Sequence, residues 1–298
     1  MVEFINFYFI PGLVLGCIYA MGAIGISMLF GILKFAHFAH GDLITLGAYF
    51  ALFMVSVVGL PVLAALPAAM VLTAVVSVGL DRTLYKPFRN SPTIVLVIAS
   101  FGAALMIRSL IQLTWGVKIE SYSAGSFTKP LLFFDTFRIA ERHITIVALT
   151  IAIAVALHFF LSRTKHGKAM RAMADEPDLA QVSGISTEKV VMTTWIIGGG
   201  LAAMAGVFLG MDTRLSTNMG WNLLLPLFAA AILGGIGNPF GAIAGGLVVG
   251  LAEELSSYPW IGTEPLLSPG YKTGVAFGLM VALLIWRPSG LFRGRVFT

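Results

Sequence analysis

Phe7-Tyr-Phe-Ile-Pro-Gly-Leu-Val-Leu-Gly-Cys-Ile-Tyr-Ala-Met-Gly-Ala-Ile-Gly-Ile-Ser-Met-Leu-Phe-Gly-Ile-Leu33 runs for 27 residues without a charged side chain. A helix needs about 20 mainly apolar residues to cross the hydrocarbon core of a bilayer. The apolar core of a secretory signal is shorter, about 7–15 residues, and follows a cationic lead. Met1-Val2-Glu3-Phe4 supplies no such lead, so the stretch reads as a retained first membrane span. Eight more stretches share its character, at 41–57, 62–80, 93–115, 144–161, 190–211, 223–236, 242–255 and 271–286. Those at 223–236 and 242–255 are short and rich in glycine. They are either half-helices meeting inside the protein or two full crossings, so eight to ten transmembrane helices are expected.

Composition extends that reading to the whole chain. Apolar residues fill 58% of the 298 positions, charged residues 11%, and the mean hydropathy is +0.92. A soluble domain is about 25% charged. This chain has too little charge to cover a water-facing surface, and lipid must be one of its solvents. The expected fold is all-α: a polytopic integral membrane protein, one domain over residues 1–298, with a cytoplasmic loop at about 162–189 inside it. Cys17 is the single cysteine, which excludes an intramolecular disulfide and a cysteine metal site and suits a small core residue.

Basic residues orient the spans, because Lys and Arg stay on the cytoplasmic side. Arg82, Lys86 and Arg89 lie in 81–90; Arg163, Lys165, Lys168, Arg171 and Lys189 lie in 162–189; Arg287, Arg293 and Arg295 lie in the tail. The segment 116–143 mixes Lys118, Lys129, Arg138 and Arg142 with Glu120, Asp135 and Glu141, and falls outside by alternation. The N-terminus is then periplasmic and the C-terminus cytoplasmic. The net charge of +5 reports this orientation rather than nucleic-acid binding, since no basic run carries interleaved aromatics. Small residues four apart predict close helix packing: Gly12/Gly16, Ser27/Gly31, Gly241/Gly245, Gly246/Gly250 and Gly274/Gly278.

The loop at 162–189 is too regular for a plain connection. Ala169 to Ala174 is helix-prone, and Pro177 with Asp178 opens a second short helix that Gly184 ends. A protruding helix pair of this kind suits the docking of a soluble motor. No G-x-x-x-x-G-K-[ST] occurs in the chain, so ATP hydrolysis is expected of a partner and not of this subunit. Membrane-enzyme motifs such as H-E-x-x-H are absent as well.

Polar residues inside the spans are the other candidates, because intramembrane charge normally faces a cavity or a partner. His37 and His40 are three apart with Asp42 two further on, but they lack a third ligand and no metal is expected. They are expected to bond backbone groups at a bend at the cytoplasmic end of the first two spans. Arg108 and Gln112 share one face of the fourth span and either snorkel to the outer rim or line a translocation path. Glu253 or Glu254 is expected to pair with Arg108 or Arg214. Phe38-Ala-His-Gly-Asp-Leu-Ile-Thr-Leu-Gly-Ala48 and Leu233-Gly-Gly-Ile-Gly-Asn-Pro-Phe-Gly-Ala242 each place a glycine-rich break at a helix junction, in opposite halves. Two inverted repeats with broken helices would have that form. The path candidates are therefore His40, Asp42, Arg108, Gln112, Gly234, Gly235, Gly237 and Glu253.

Four segments resemble the LivH-type permeases of branched-chain amino-acid ABC importers. They are Gly12 to Gly25 with Phe30-Gly31 and Phe38 to Tyr49; Gly167-Lys-Ala-Met-Arg-Ala172 with Asp178-Leu-Ala180 and Gly184-Ile185; Ala231-Ile-Leu-Gly-Gly-Ile-Gly-Asn-Pro-Phe-Gly-Ala-Ile-Ala-Gly-Gly246; and Phe277 to Arg287-Pro-Ser-Gly-Leu-Phe292. Two departures stand out: the family's usual Asn before Phe-Ala-His-Gly is His37 here, and the tail is short. The resemblance implies a multi-pass protein of the bacterial inner membrane, surrounded by lipid and binding no nucleic acid. It implies pairing with a homologous second permease subunit, as a heterodimer, or with itself. It also implies two cytoplasmic P-loop ATPase subunits that use ATP and Mg, and a periplasmic substrate-binding protein. No cofactor is expected in this chain. Gly167, Lys168, Arg171, Asp178 and Gly184 match the family's ATPase-coupling segment. The implied cargo is a branched-chain amino acid, with urea, amides or aromatic acids as alternatives. An ion-coupled secondary transporter or channel is the competing class.

Overall fold

The computed structural model describes residues 2–122, 130–133, 137–260, 267–287 and 290–292. Of the residues singled out above, Lys129, Asp135, Pro288, Ser289, Arg293 and Arg295 lie outside the described residues. The long helices are α1 (Val2–Leu33), α2 (His40–Ser56), α3 (Val62–Leu80), α4 (Thr93–Trp115) and α5 (Glu141–Arg163), then α8 (Thr187–Asp212), α9 (Met219–Gly234), α10 (Pro239–Leu255) and α11 (Lys272–Trp286). Between α5 and α8 stand two short helices, α6 (Lys165–Asp175) and α7 (Pro177–Val182). All nine expected spans are present as helices, and α3 and α4 begin and end where the apolar runs do. The outer loop adds something the apolar pattern does not show. Strands β1 (Pro130–Phe133) and β2 (Phe137–Ala140) form an antiparallel hairpin that pairs Pro130 with Ala140 and Phe133 with Phe137.

Burial sorts the helices into two classes. The most apolar window of α1 is 83% buried and that of α8 78%, against 22% for α5. Helices α1 and α8 therefore form the centre, while α5 turns most of its apolar surface outward, as a lipid-facing helix does. Packing in lipid lacks a hydrophobic drive between helices and relies on close backbone approach at small residues. The seam between α1 and α10 is built that way. A Cβ on Gly16 would lie 2.9 Å from the Leu247 Cα, and one on Gly246 would press on the backbone of Ala20. Gly12 packs on Leu251 and Glu254, Gly250 on Gly16, and Gly31 on Gly237, while Gly241 and Gly245 pack on α9 at Gly234 and Ala230. The expectation fails for Gly274 and Gly278, where an added Cβ would meet no atom of another helix within 4 Å among the described residues. Their spacing matches the motif, but α11 contacts the rest of the chain with another face, at Ala276. At the far end of α1, the rings of Phe4 and Tyr8 pack edge-on against Tyr258, at 4.9 and 5.1 Å.

The junction between α1 and α2 is deeper than a bend at the membrane edge. Lys34 takes a left-handed conformation (φ 59°) and its N–H closes α1 on the Phe30 carbonyl. Residues 34–39 then run without helix until α2 starts at His40. The N–H of Phe38 donates to Ser100 Oγ at 3.2 Å, and its ring lies 4.7 Å from Phe101. Ser100 is two turns inside α4, roughly 10 Å from its start at 1.5 Å per residue. The chain thus re-enters the protein before α2 begins. Non-helical backbone is tolerated at such depth only where protein or a hydrated cavity satisfies it, and here Ser100 helps to do so.

Candidate functional site

The first turn of α2 presents Asp42 to α4. Arg108 donates from Nε to Asp42 Oδ1 at 2.9 Å and from NH2 to Oδ2 at 3.0 Å. The Asp42 side chain is fully buried and that of Arg108 is 16% exposed. A bidentate, charge-assisted pair is the strong form of such an interaction, and Arg108 also sits 4.7 Å over the ring of Trp221 on α9. Around it runs an aromatic wall: Phe38 stacks near Phe101 and lies 5.4 Å from Phe228, and Phe101 lies 5.7 Å from Trp221. The wall is not sealed by the chain itself, since Phe101 is 39% exposed and Leu225, one turn along α9 from Trp221, 47%. Gln112, one turn beyond Arg108, reaches Thr217 Oγ1 at 3.4 Å.

The other path candidates are elsewhere. Glu253 accepts from the Tyr19 hydroxyl at 2.6 Å inside the α1–α10 seam, and Glu254 accepts from Lys272 at 2.7 Å. Neither pairs with Arg108 or Arg214. The reason is topological: α4 packs on α2, whereas α10 packs on α1, α9 and α11. His40 is buried against Gly25 of α1, 6.1 Å from the ring of His37. His37 bonds the Tyr85 hydroxyl at 2.9 Å in place of the expected backbone group, and Tyr85 stacks on Trp195 at 5.2 Å. Gly234, Gly235 and Gly237 form the turn between α9 and α10 beside Gly31, and Gly235 and Gly237 have φ values of 106° and 81° that only glycine adopts without strain. Leu291 and Phe292 donate their N–H groups to Leu233 and Gly234 there.

The five coupling candidates, by contrast, fall on or just beyond one short helix pair between α5 and α8. Thr164 caps α6 by accepting from the Gly167 N–H at 2.9 Å. Gly167 itself lies against the backbone of Phe160 and Leu161 with no room for a Cβ. Lys168, Arg171 and Asp178 are exposed, and Gly184 ends α7 with φ 84°. Met170 and Met173 turn α6 onto the core. Two apolar side chains of α7 stand out of it instead, Leu179 at 64% and Val182 at 87% exposure. From the end of α1, Lys34 donates to the Ala174 carbonyl in the last turn of α6 at 3.1 Å.

Comparison with known proteins supplies the context for this geometry. Residues 8–284 match the family described as branched-chain amino acid transport system / permease component. The chain belongs to that family. It is 31% identical to the high-affinity branched-chain amino acid transport system permease protein BraD of Pseudomonas aeruginosa, over 95% of this chain and 94% of the relative. It is 32% identical to LivH of Escherichia coli K12, over 94% and 92%. A probable LivH of Methanocaldococcus jannaschii is 28% identical over 88% and 82%. The molecule is therefore a polytopic α-helical membrane permease, and the ion-coupled transporter reading gives way to that of an ABC permease subunit.

Sequence reasoning missed several residues of this permease that the structure brings forward. Trp221 and Phe228 share a helix face at a spacing of seven, which was the available signal for the wall. Leu179 and Val182 were visible as apolar residues inside a polar loop. Lys34 carried no signal, because a lone cation after an apolar span ordinarily only marks its end.

Proposed function

We propose that this permease forms the translocation path of an ATP-driven importer of branched-chain amino acids. Cytoplasmic ATPase subunits, using ATP and Mg, bind at the α6–α7 pair, and a periplasmic binding protein delivers the cargo. The observation that carries this reading is the exposure of Leu179 and Val182 on a short helix flanked by Lys168, Arg171 and Asp178. Exposed apolar side chains in a charged, aqueous segment are characteristic of a surface that a protein partner covers. The chain has no P-loop of its own, so the motor is that partner. The pair then lies on the cytoplasmic side, the N-terminus on the periplasmic side, and the C-terminus on the cytoplasmic side.

Within this reading the path runs along the aromatic wall of α4 and α9 at the Asp42–Arg108 pair, facing a second permease subunit, homologous or identical. An apolar wall with one fixed charge pair lets an amino acid slide without being held. Gly167 and Gly184 shape the coupling pair, Lys168 and Asp178 meet the ATPases, and Arg171 lines the cleft beside them. The relatives named for branched-chain amino acid transport support the cargo class. The decisive test is reconstitution with the cognate ATPases and binding protein in liposomes. Uptake of L-leucine, L-isoleucine or L-valine that requires ATP and is abolished by Leu179→Asp with Val182→Asp supports the reading. Uptake that runs on an ion gradient with no ATPase present overturns it, and a binding protein that prefers urea or amides reassigns the cargo.

A further inference from the structure

A cleft of about 300 Å³ opens where α6 meets the ends of α1, α5 and the α9–α10 turn. It is separate from the aromatic wall and shares none of its residues. Leu161, Ile236 and Phe240 give it hydrocarbon walls, while Lys34, Arg171 and Asp175 bring both signs of charge to it. Arg171 is exposed and has no bonding partner among the described residues. We infer that this cleft is a cytosol-side regulatory site for a small zwitterion with a hydrocarbon side chain, an apolar α-amino acid. The inference rests on the proposed function for its sidedness and for the identity of the regulated step.

Each part of that ligand has a counterpart. A planar guanidinium suits a carboxylate, which it grips with two parallel hydrogen bonds. A carboxylate accepts up to four hydrogen bonds, so Asp175 takes an ammonium in addition to its existing contacts. The apolar walls take the side chain. The volume stands at the low end of the range for ligand sites, about 300–1,000 Å³, which selects a small molecule over a nucleotide.

Occupancy has a mechanical effect. Arg171 and Asp175 belong to α6, whereas Lys34, Ile236 and Phe240 belong to the ends of the membrane helices and the turn between them, and Lys34 already ties the two through the Ala174 carbonyl. A bound amino acid adds bonds to α6 and contacts to the α9–α10 turn, and so holds the coupling pair in one position. Accumulated product would then slow its own import.

The test uses the whole transporter in liposomes with its ATPases facing outward, loaded binding protein inside, and ATP and Mg outside. L-leucine added outside is expected to lower ATP hydrolysis several-fold. Ile236→Trp, which fills the cleft, is expected to keep its own starting rate under the same titration. A second measurement, equilibrium binding of labelled L-leucine without binding protein or ATP, covers the case in which that variant fails to assemble. The wild type is expected to bind. Asp175→Asn is expected to weaken leucine roughly tenfold, one charge-assisted hydrogen bond, and to leave isocaproate, which lacks the amino group, unaffected. A wild type that transports but neither binds leucine nor responds to it outside overturns the inference while leaving the proposed function intact. Unchanged inhibition in Ile236→Trp overturns it too. So does an Ile236-dependent response to phosphatidylglycerol added to phosphatidylcholine membranes with no response to leucine, which would make the cleft a lipid site. A complex that shows no ATP-driven uptake at all refutes the proposed function instead.

Discussion

The α1–α10 seam and the α2–α4–α9 face are both assembled inside the membrane, but different physics holds them. The seam is closed by glycines at backbone contact and contains one buried acid, Glu253, bonded to the Tyr19 hydroxyl. The face is aromatic and partly open, and it holds one buried acid, Asp42, matched by a full cation. Backbone contact at glycines makes a tight joint, because the helices cannot separate without losing close packing along the whole seam. A guanidinium held by one carboxylate and one indole ring can exchange partners. The contrast separates a joint closed by glycines from a face closed by a charge pair.

The most damaging way to probe that contrast is Asp42→Ala. It leaves Arg108 unpaired inside the membrane and is expected to cost about 3–5 kcal/mol in a reversible unfolding titration. Replacing the pair by Asp42→Leu with Arg108→Met is expected to recover most of that stability and none of the transport. If the double variant transports normally, the face is only scaffold. Next comes Gly250→Leu in the seam, which forces α10 away from Gly16 and is expected to cost about 1–3 kcal/mol. Tyr19→Phe strips Glu253 of its donor and is expected to cost about 1 kcal/mol, with transport per folded molecule unchanged. The smallest effect belongs to Gly274→Leu, within about 0.5 kcal/mol for the isolated permease in detergent. A loss there as large as that of Gly250→Leu would mean that small-residue spacing, and not actual contact, governs packing.

Legibility followed the range of the physics involved. Span positions could be read because apolar length is a local property, and α3 and α4 ended where the runs 62–80 and 93–115 end. The turn at Gly184 was equally local. Partnerships were not. Arg108 finds Asp42 across 66 residues because the chain re-enters the protein at 34–39, and no periodicity in that segment announces it. The small-residue motif was right for Gly12/Gly16 and wrong for Gly274/Gly278, since spacing fixes which residues share a face but not which face is covered. Aromatic residues in apolar spans look alike whether they fill a core or line an opening, so the wall emerged only from ring distances.

The continuity of α1 has a consequence for movement. Its 32 residues extend from the rings of Phe4 and Tyr8 to Lys34, which holds the last turn of α6. Its regular α-helical part, Ile10–Leu33, spans roughly 36 Å at 1.5 Å per residue, more than the hydrocarbon core of a bilayer, and a π-helical turn at Ile5–Phe9 precedes it. From Gly12 onward the helix is packed among its neighbours, so its inner two-thirds move as one body. A displacement of α6 at Lys34 would therefore be felt along the glycine seam with α10 as well as at the coupling pair.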